Sequence, residues 1–111
     1  MQEDPPAARA RYAARARVAR ALAHPSRLLI LDALQEGERC VGELTRLVGA
    51  DQSTVSKHLA VLREVGLVAD RREGALHRYR LQVSCLAGFW QCVEGVLEAN
   101  LERHRAALGR S

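Results

Sequence analysis

Two groups of residues have types and spacing that suit chemistry: the cysteines Cys40, Cys85 and Cys92, and the polar run Gln52-Ser53-Thr54-Val55-Ser56-Lys57-His58. Thiolates are soft donors that hold soft metal or metalloid ions, and they also oxidise to disulfides. The polar run suits a different task. Gln bonds adenine bidentately, Ser and Thr fit a base edge or a phosphate, and Lys neutralises a phosphate. Each group has a plainer reading too: Cys packs as a small buried hydrophobe, and a polar run is an ordinary solvated helix face. Thiol catalysis would need a Cys with a His and a carboxylate. Here His24 precedes a proline, His58 lies on the polar run, His77 on a strand and His104 near the C-terminus. With no Gly-rich phosphate loop either, an enzyme is not expected.

The elements that hold these residues follow from the pattern. A chain of 111 residues is one domain at most, and with 48% hydrophobic but only 4% aromatic residues its core must be Leu, Val and Ala. Such a composition favours helices. Residues 1–6, ending in Pro5-Pro6, read as a loose tail before a single domain over residues 7–108. An Ala/Arg helix runs from Ala7 to about Ala23, and Pro25 punctuates it. Leu28, Leu29, Ile30, Leu31 and Leu34 mark a second helix, and Val41, Leu44 and Leu47 a short third one. After a tight turn at Gly49-Ala50, Asp51 is a good N-cap for a fourth helix from Gln52 to about Val65, stopped by Gly66. In that helix Val55, Leu59 and Leu62 share one face, leaving the polar run on the other.

The period then changes to alternation. Residues 67–71 and 76–81 read as two strands, joined by a loop that contains Gly74. A final helix from Leu86 to about Leu108 carries an apolar stripe of Leu86, Phe89, Val93, Val96, Leu97 and Leu101. That stripe is too long for so small a core to cover and predicts a homodimer built on the first and last helices. The fold class is therefore mainly α with a small β-hairpin: a winged helix-turn-helix of about five helices and a two-stranded wing.

Charge agrees with contact to a polyanion. The formal net charge is +4, and residues 51–80 carry Lys57, Arg63, Arg71, Arg72, Arg78 and Arg80 against four acids. The start of the fourth helix is expected to enter the major groove, with Gln52 and Ser53 at base edges and Thr54, Ser56 and Lys57 alongside. His58 and Arg63 lie further along and point to the DNA backbone. Arg71, Arg72, His77 and Arg78 make the wing basic, suited to phosphates or the minor groove. A dimer would read double-stranded DNA as an inverted repeat. A winged-helix module that binds protein instead of DNA is the alternative of a different class. No apolar run approaches the length of a membrane span, and no secretory signal is visible, so a cytoplasmic protein is expected.

Several stretches together resemble the ArsR/SmtB family. These are Ala21-Leu22-Ala23-His24-Pro25-Ser26-Arg27, Asp51 through Leu59, Leu62-Arg63-Glu64-Val65-Gly66-Leu67-Val68, and the wing from Arg71 to Leu81. The resemblance covers residues 15 to 100 and implies a dimeric repressor released from its operator by a metal, metalloid or thiol-reactive signal. It also implies where sensing residues would lie, and this chain departs from them. Cys40 falls where arsenic- and cadmium-type members carry the first cysteine of a Cys-Val-Cys motif, but Gly42 replaces the second. The zinc-type positions correspond to Val83, Cys85, Val96 and Ala99, which lack the usual carboxylates and imidazoles.

Cys40, Cys85 and Cys92 remain as a thiolate-only set. Seven residues of helix separate Cys85 from Cys92 by about 10 Å, too far for two thiolates on one straight helix to share an ion. The site would need the loop before the last helix to fold back, or Cys85 of one chain to meet Cys92 of the other, with Cys40 as third ligand. For a soft trivalent ion, As(III) or Sb(III) is the first expectation as inducer, followed by cadmium, lead or mercury. A redox or persulfide switch is the alternative, and no organic cofactor is expected.

Overall fold

The computed structural model describes residues 5–109. Five helices and three strands follow in the order α1 (Pro5–Leu22), α2 (Pro25–Leu34), β1 (Arg39–Cys40), α3 (Val41–Val48), α4 (Gln52–Glu64), β2 (Val68–Glu73), β3 (Leu76–Leu81) and α5 (Leu86–Gly109). The mainly helical winged helix-turn-helix is as the pattern requires. The wing gains a third strand, however: β1 pairs antiparallel with β3, giving the order β1-β3-β2. Helix α1 also starts earlier than expected, since Pro5 and Pro6 already lie within it. Proline suits a first turn, where its missing N–H has no helical partner to lose. Residues 1–4 of the expected tail lie outside the described residues.

Local chemistry sets the helix ends. Pro25 opens α2, and the His24 ring caps it, accepting from the Ser26 N–H at Nδ1 over 3.1 Å. Gly49, at φ 77°, ends α3 in the left-handed region that a Cβ disfavours, and its N–H donates to the Thr45 carbonyl at 3.0 Å. The chain can then reverse into α4. At the far end of α4, Gly66 N–H donates to Arg63 O and Leu67 N–H to Leu62 O, both at 3.0 Å. This paired closure is a Schellman cap and turns the chain into β2. The hairpin is tighter than expected: β2 continues to Glu73, and Gly74-Ala75 alone make the turn, with Glu73 opposite Leu76. Gly74 has φ 62°, as the first central residue of a type II′ turn needs.

The core lies where α2, α3 and α4 meet the foot of the wing. Ile30, Leu31, Leu44, Val55, Leu59 and Leu62 are fully buried, and Val68 and Tyr79 close the layer from the sheet. Burying a side chain of this size stabilises by roughly 1.5–3 kcal/mol. Helix α5 is built differently. Only Leu86 is buried, while Val96, Leu97 and Leu101 are 59%, 54% and 49% exposed. Among the described residues, no helix is long and apolar enough to cross a membrane.

Candidate nucleic-acid interface

Helix α4 is held by its apolar face and by its first turn. Val55, Leu59 and Leu62 pin it to the core, and Asp51 anchors its start. The Asp51 carboxylate accepts from the Thr54 N–H at 2.7 Å and from the Ser53 hydroxyl at 2.9 Å. These bonds, the Thr54 N–H foremost, hold its pKa below the ordinary carboxylate value. Ser53 is thus oriented by Asp51, whereas Gln52, Ser56 and Lys57 are exposed with no hydrogen bond or ion pair to the described residues. Thr54 is half-buried on the flank of the helix. The free amide, hydroxyl and ammonium groups at the start of α4 are the donors and acceptors a major-groove contact uses.

His58 departs from its expected role. It faces the protein, where its Nδ1 accepts from Arg27 Nε at 3.2 Å and its ring lies 4.3 Å from that of His24. Partial burial, and next the neighbouring His24 and Arg27, push its pKa below the ordinary value. A neutral imidazole turned inward is poorly placed to attract a phosphate.

The wing divides its basic residues between two faces, because neighbouring strand positions point to opposite sides. On the face of buried Tyr79, the Asp70 carboxylate meets His77 Nε2 at 2.6 Å and Arg63 at 3.0 Å. The His77 hydrogen bond, more than Arg63, holds the Asp70 pKa down. On the other face Arg71 is gripped by Glu38 at 3.0 Å and Glu73 at 2.5 Å, and Arg78 Nε lies 3.6 Å from Glu73. So Arg63, Arg71, His77 and Arg78, read from sequence as free cations, each have a carboxylate partner within the chain. Arg72 is exposed and makes no ion pair with the described residues. Arg80 on β3, which sequence reasoning counted only for its charge, is also exposed without a direct ion pair, although its charge helps hold the Glu38 pKa down. Glu38 and Arg71 are 33 residues apart, and only the β1–β3 pairing brings them together. Exposed pairs of this kind contribute little and are screened by salt, so phosphates can compete for these arginines.

The three thiols do not converge within one chain. Cys40 is half-buried at the start of α3, where its N–H donates to Glu43 Oε1 at 3.2 Å. That N–H and then the thiol lower the Glu43 pKa. Cys85 is exposed just before α5, and its carbonyl accepts from the Phe89 N–H; Cys92 is exposed on α5 itself. Among the described residues, no group of three or more His, Cys, Asp or Glu side chains could hold a metal ion. The fold-back version of the three-thiolate site is therefore not formed. The loop runs directly into α5 and leaves Cys85 outside.

A recognition-type helix, a helix-turn-helix and a sheet wing in this order invite comparison with known regulators. The family described as "Bacterial regulatory protein, arsR family" matches residues 24–70. The HTH-type transcriptional regulator CmtR of Mycobacterium bovis is 41% identical over 91% of this chain and 90% of its own length. The chain belongs to the ArsR family. The relatives it matches are named as transcriptional regulators.

Other relatives match over a smaller part of their length. Rv0324 of Mycobacterium tuberculosis is 40% identical over 78% of this chain but 38% of its own length. The arsenic resistance regulator ArsR1 of Pseudomonas putida is 43% identical over 61% of this chain and 53% of its own. The chain thus spans about half or less of these two. Among solved structures, the homodimeric winged helix-turn-helix DNA-binding domain of Mycobacterium bovis Mb0332 superposes with a TM-score of 0.73 at 39% identity. It covers 93% of this chain and 94% of that one.

Proposed function

We propose that this ArsR-family chain is a DNA-binding repressor that works as a homodimer and lets go of its operator when a thiophilic ligand binds its cysteines. The observation that carries the DNA reading is the exposed, unpaired set Gln52, Ser56 and Lys57 at the start of a helix fixed by Asp51 and three buried residues. Gln52 and Ser53 are assigned to base edges. Lys57, Arg72 and Arg80 are assigned to phosphates, with Arg71 and Arg78 joining when phosphate displaces Glu38 and Glu73. The bare stripe on α5 supports the homodimer, as does the homodimeric Mb0332 domain. An inverted repeat is the operator a two-fold dimer requires.

For the inducer, exposed Cys85 and Cys92 on or beside the proposed dimer helix favour a site completed across two chains. Thiolates without imidazole or carboxylate select soft ions, and the arsenic resistance regulator among the relatives supports As(III) or Sb(III) as the first choice. The test is a DNA-release titration with arsenite, antimonite, cadmium, zinc, peroxide and persulfide. Release by arsenite or antimonite, lost on Cys85→Ser or Cys92→Ser, is the expected result. Release by peroxide or persulfide alone would replace the ion with a disulfide switch. Arsenite release that survives replacement of all three cysteines by serine would end the thiol reading.

A further inference from the structure

The sequence His24-Pro25-Ser26-Arg27 does more than start a helix. Arg27 reaches in two directions. One guanidinium nitrogen approaches the Arg20 and Ala21 carbonyls at 3.5 Å, at the end of α1, where Arg20 O also accepts from the Ala23 N–H at 3.2 Å. Its Nε donates to His58 Nδ1 in the middle of α4, 31 residues away. His24 completes the cluster: it caps α2 through Nδ1 while its ring packs on that of His58. A single side chain therefore ties the end of α1 to the helix that presents Gln52, Ser56 and Lys57.

We propose that Arg27 is a positioning residue for DNA binding, acting through His58 to set the recognition helix against α1. The proposal rests on the DNA reading above and adds how the helix is held at its angle. Geometry fixes the chemistry of the clasp. A guanidinium has only donors, so His58 Nδ1 must be its unprotonated nitrogen, with the ring proton on Nε2. A second proton on His58 would remove the acceptor and put an imidazolium against a guanidinium. Among the described residues, the titratable groups felt by His58 are His24 on the α1–α2 junction and Arg27 on α2, and both oppose its protonation. The pKa of His58 is lowered in the fold, so the clasp is fully present above the unfolded value near 6.5 and is lost as pH falls through the lower value of the folded chain. An asparagine at 58 carries an oxygen close to the Nδ1 position and does not titrate.

The experiment compares wild type, Arg27→Lys and His58→Asn for operator affinity between pH 7.5 and 5.5. Thermal unfolding and sedimentation are run alongside, and nitrogen NMR reads the His58 tautomer. Arg27→Lys keeps the charge but loses the Nε donor. It is expected to weaken operator binding at pH 7.5 about fivefold or more, the low end of couplings between sites, with folding and assembly unchanged. His58→Asn is expected to bind like wild type at pH 7.5 and to outbind it increasingly as pH falls. NMR should show His58 with the proton on Nε2. Arg27→Lys binding as wild type, a constant affinity ratio of His58→Asn to wild type across the pH range, or a proton on Nδ1 at pH 7.5 would each overturn the clasp. Wild type that binds no DNA would instead overturn the DNA reading, and the NMR tautomer would still decide whether the clasp exists.

Discussion

Helices α4 and α5 are both amphipathic, and they leave opposite faces uncovered. In α4 the apolar residues Val55, Leu59 and Leu62 are fully buried, and Gln52, Ser56 and Lys57 of the first turns face solvent with no hydrogen bond to the described residues. In α5 only Leu86 is buried, and Phe89, Val96, Leu97 and Leu101 stand exposed along 24 residues of helix. A contiguous exposed apolar face of this kind marks an association surface, whereas exposed amide, hydroxyl and ammonium groups on a rigid helix suit a polar ligand. One chain thus carries a polar face held in place by its own core and an apolar face that its own core does not use. The two faces lie on separate elements, so each can be broken without the other.

The largest effect is expected in the core under α4. Leu59→Ala should cost about 2–5 kcal/mol, the range for deleting a buried leucine side chain, measured by urea unfolding. Next comes α5. Replacing Leu97 and Leu101 together by glutamate should convert a dimer to a monomer in sedimentation at micromolar concentration and lower operator affinity at least about tenfold, as loss of central interface residues does. A double variant that still sediments as a dimer would show that the stripe is not the interface.

Smaller effects separate the holding of α4 from its contacts. Asp51→Ala removes the cap and should lower the unfolding midpoint by a few degrees. The Asp51 pKa is depressed by the Thr54 N–H, so this contribution is present above its ordinary value near 3.8 and is lost as the pH falls below it. The gap between Asp51→Ala and wild type should therefore narrow in acid. Lys57→Ala should leave stability unchanged and weaken all DNA sequences alike, reducing the log–log salt slope by about 0.9. A changed sequence preference at constant slope would move Lys57 from the phosphates to the bases.

What could be read from the sequence follows the range of the interactions. The bounds of α4 were legible because Asp51, the 55-59-62 spacing and Gly66 are local signals that agree with each other. The stripe on α5 was legible as a pattern, and its exposure is what the pattern implied. Strand β1 was not legible: two residues carry no period, and Arg39 and Cys40 are a strand only because Tyr79 and Arg78 lie opposite. The same holds for the charges. Arg63 and Arg71 read as free cations until folding brings Asp70 and Glu38 beside them, and His58 read as solvent-facing until Arg27 claims its Nδ1. The thiols were the hardest to read, since no single-chain cluster gathers them and any shared site depends on a second chain.

The central claim is that the uncovered face of α4 reads DNA as one half of a two-fold pair. Selection of bound duplexes from a random-sequence pool by the full chain tests it most directly. The account predicts enrichment of an inverted repeat with half-site centres about one helical turn apart, roughly 34–36 Å, and loss of that enrichment on Gln52→Ala. No enrichment over the starting pool, or a selected motif unaffected by Gln52→Ala and lacking two-fold symmetry, would contradict it.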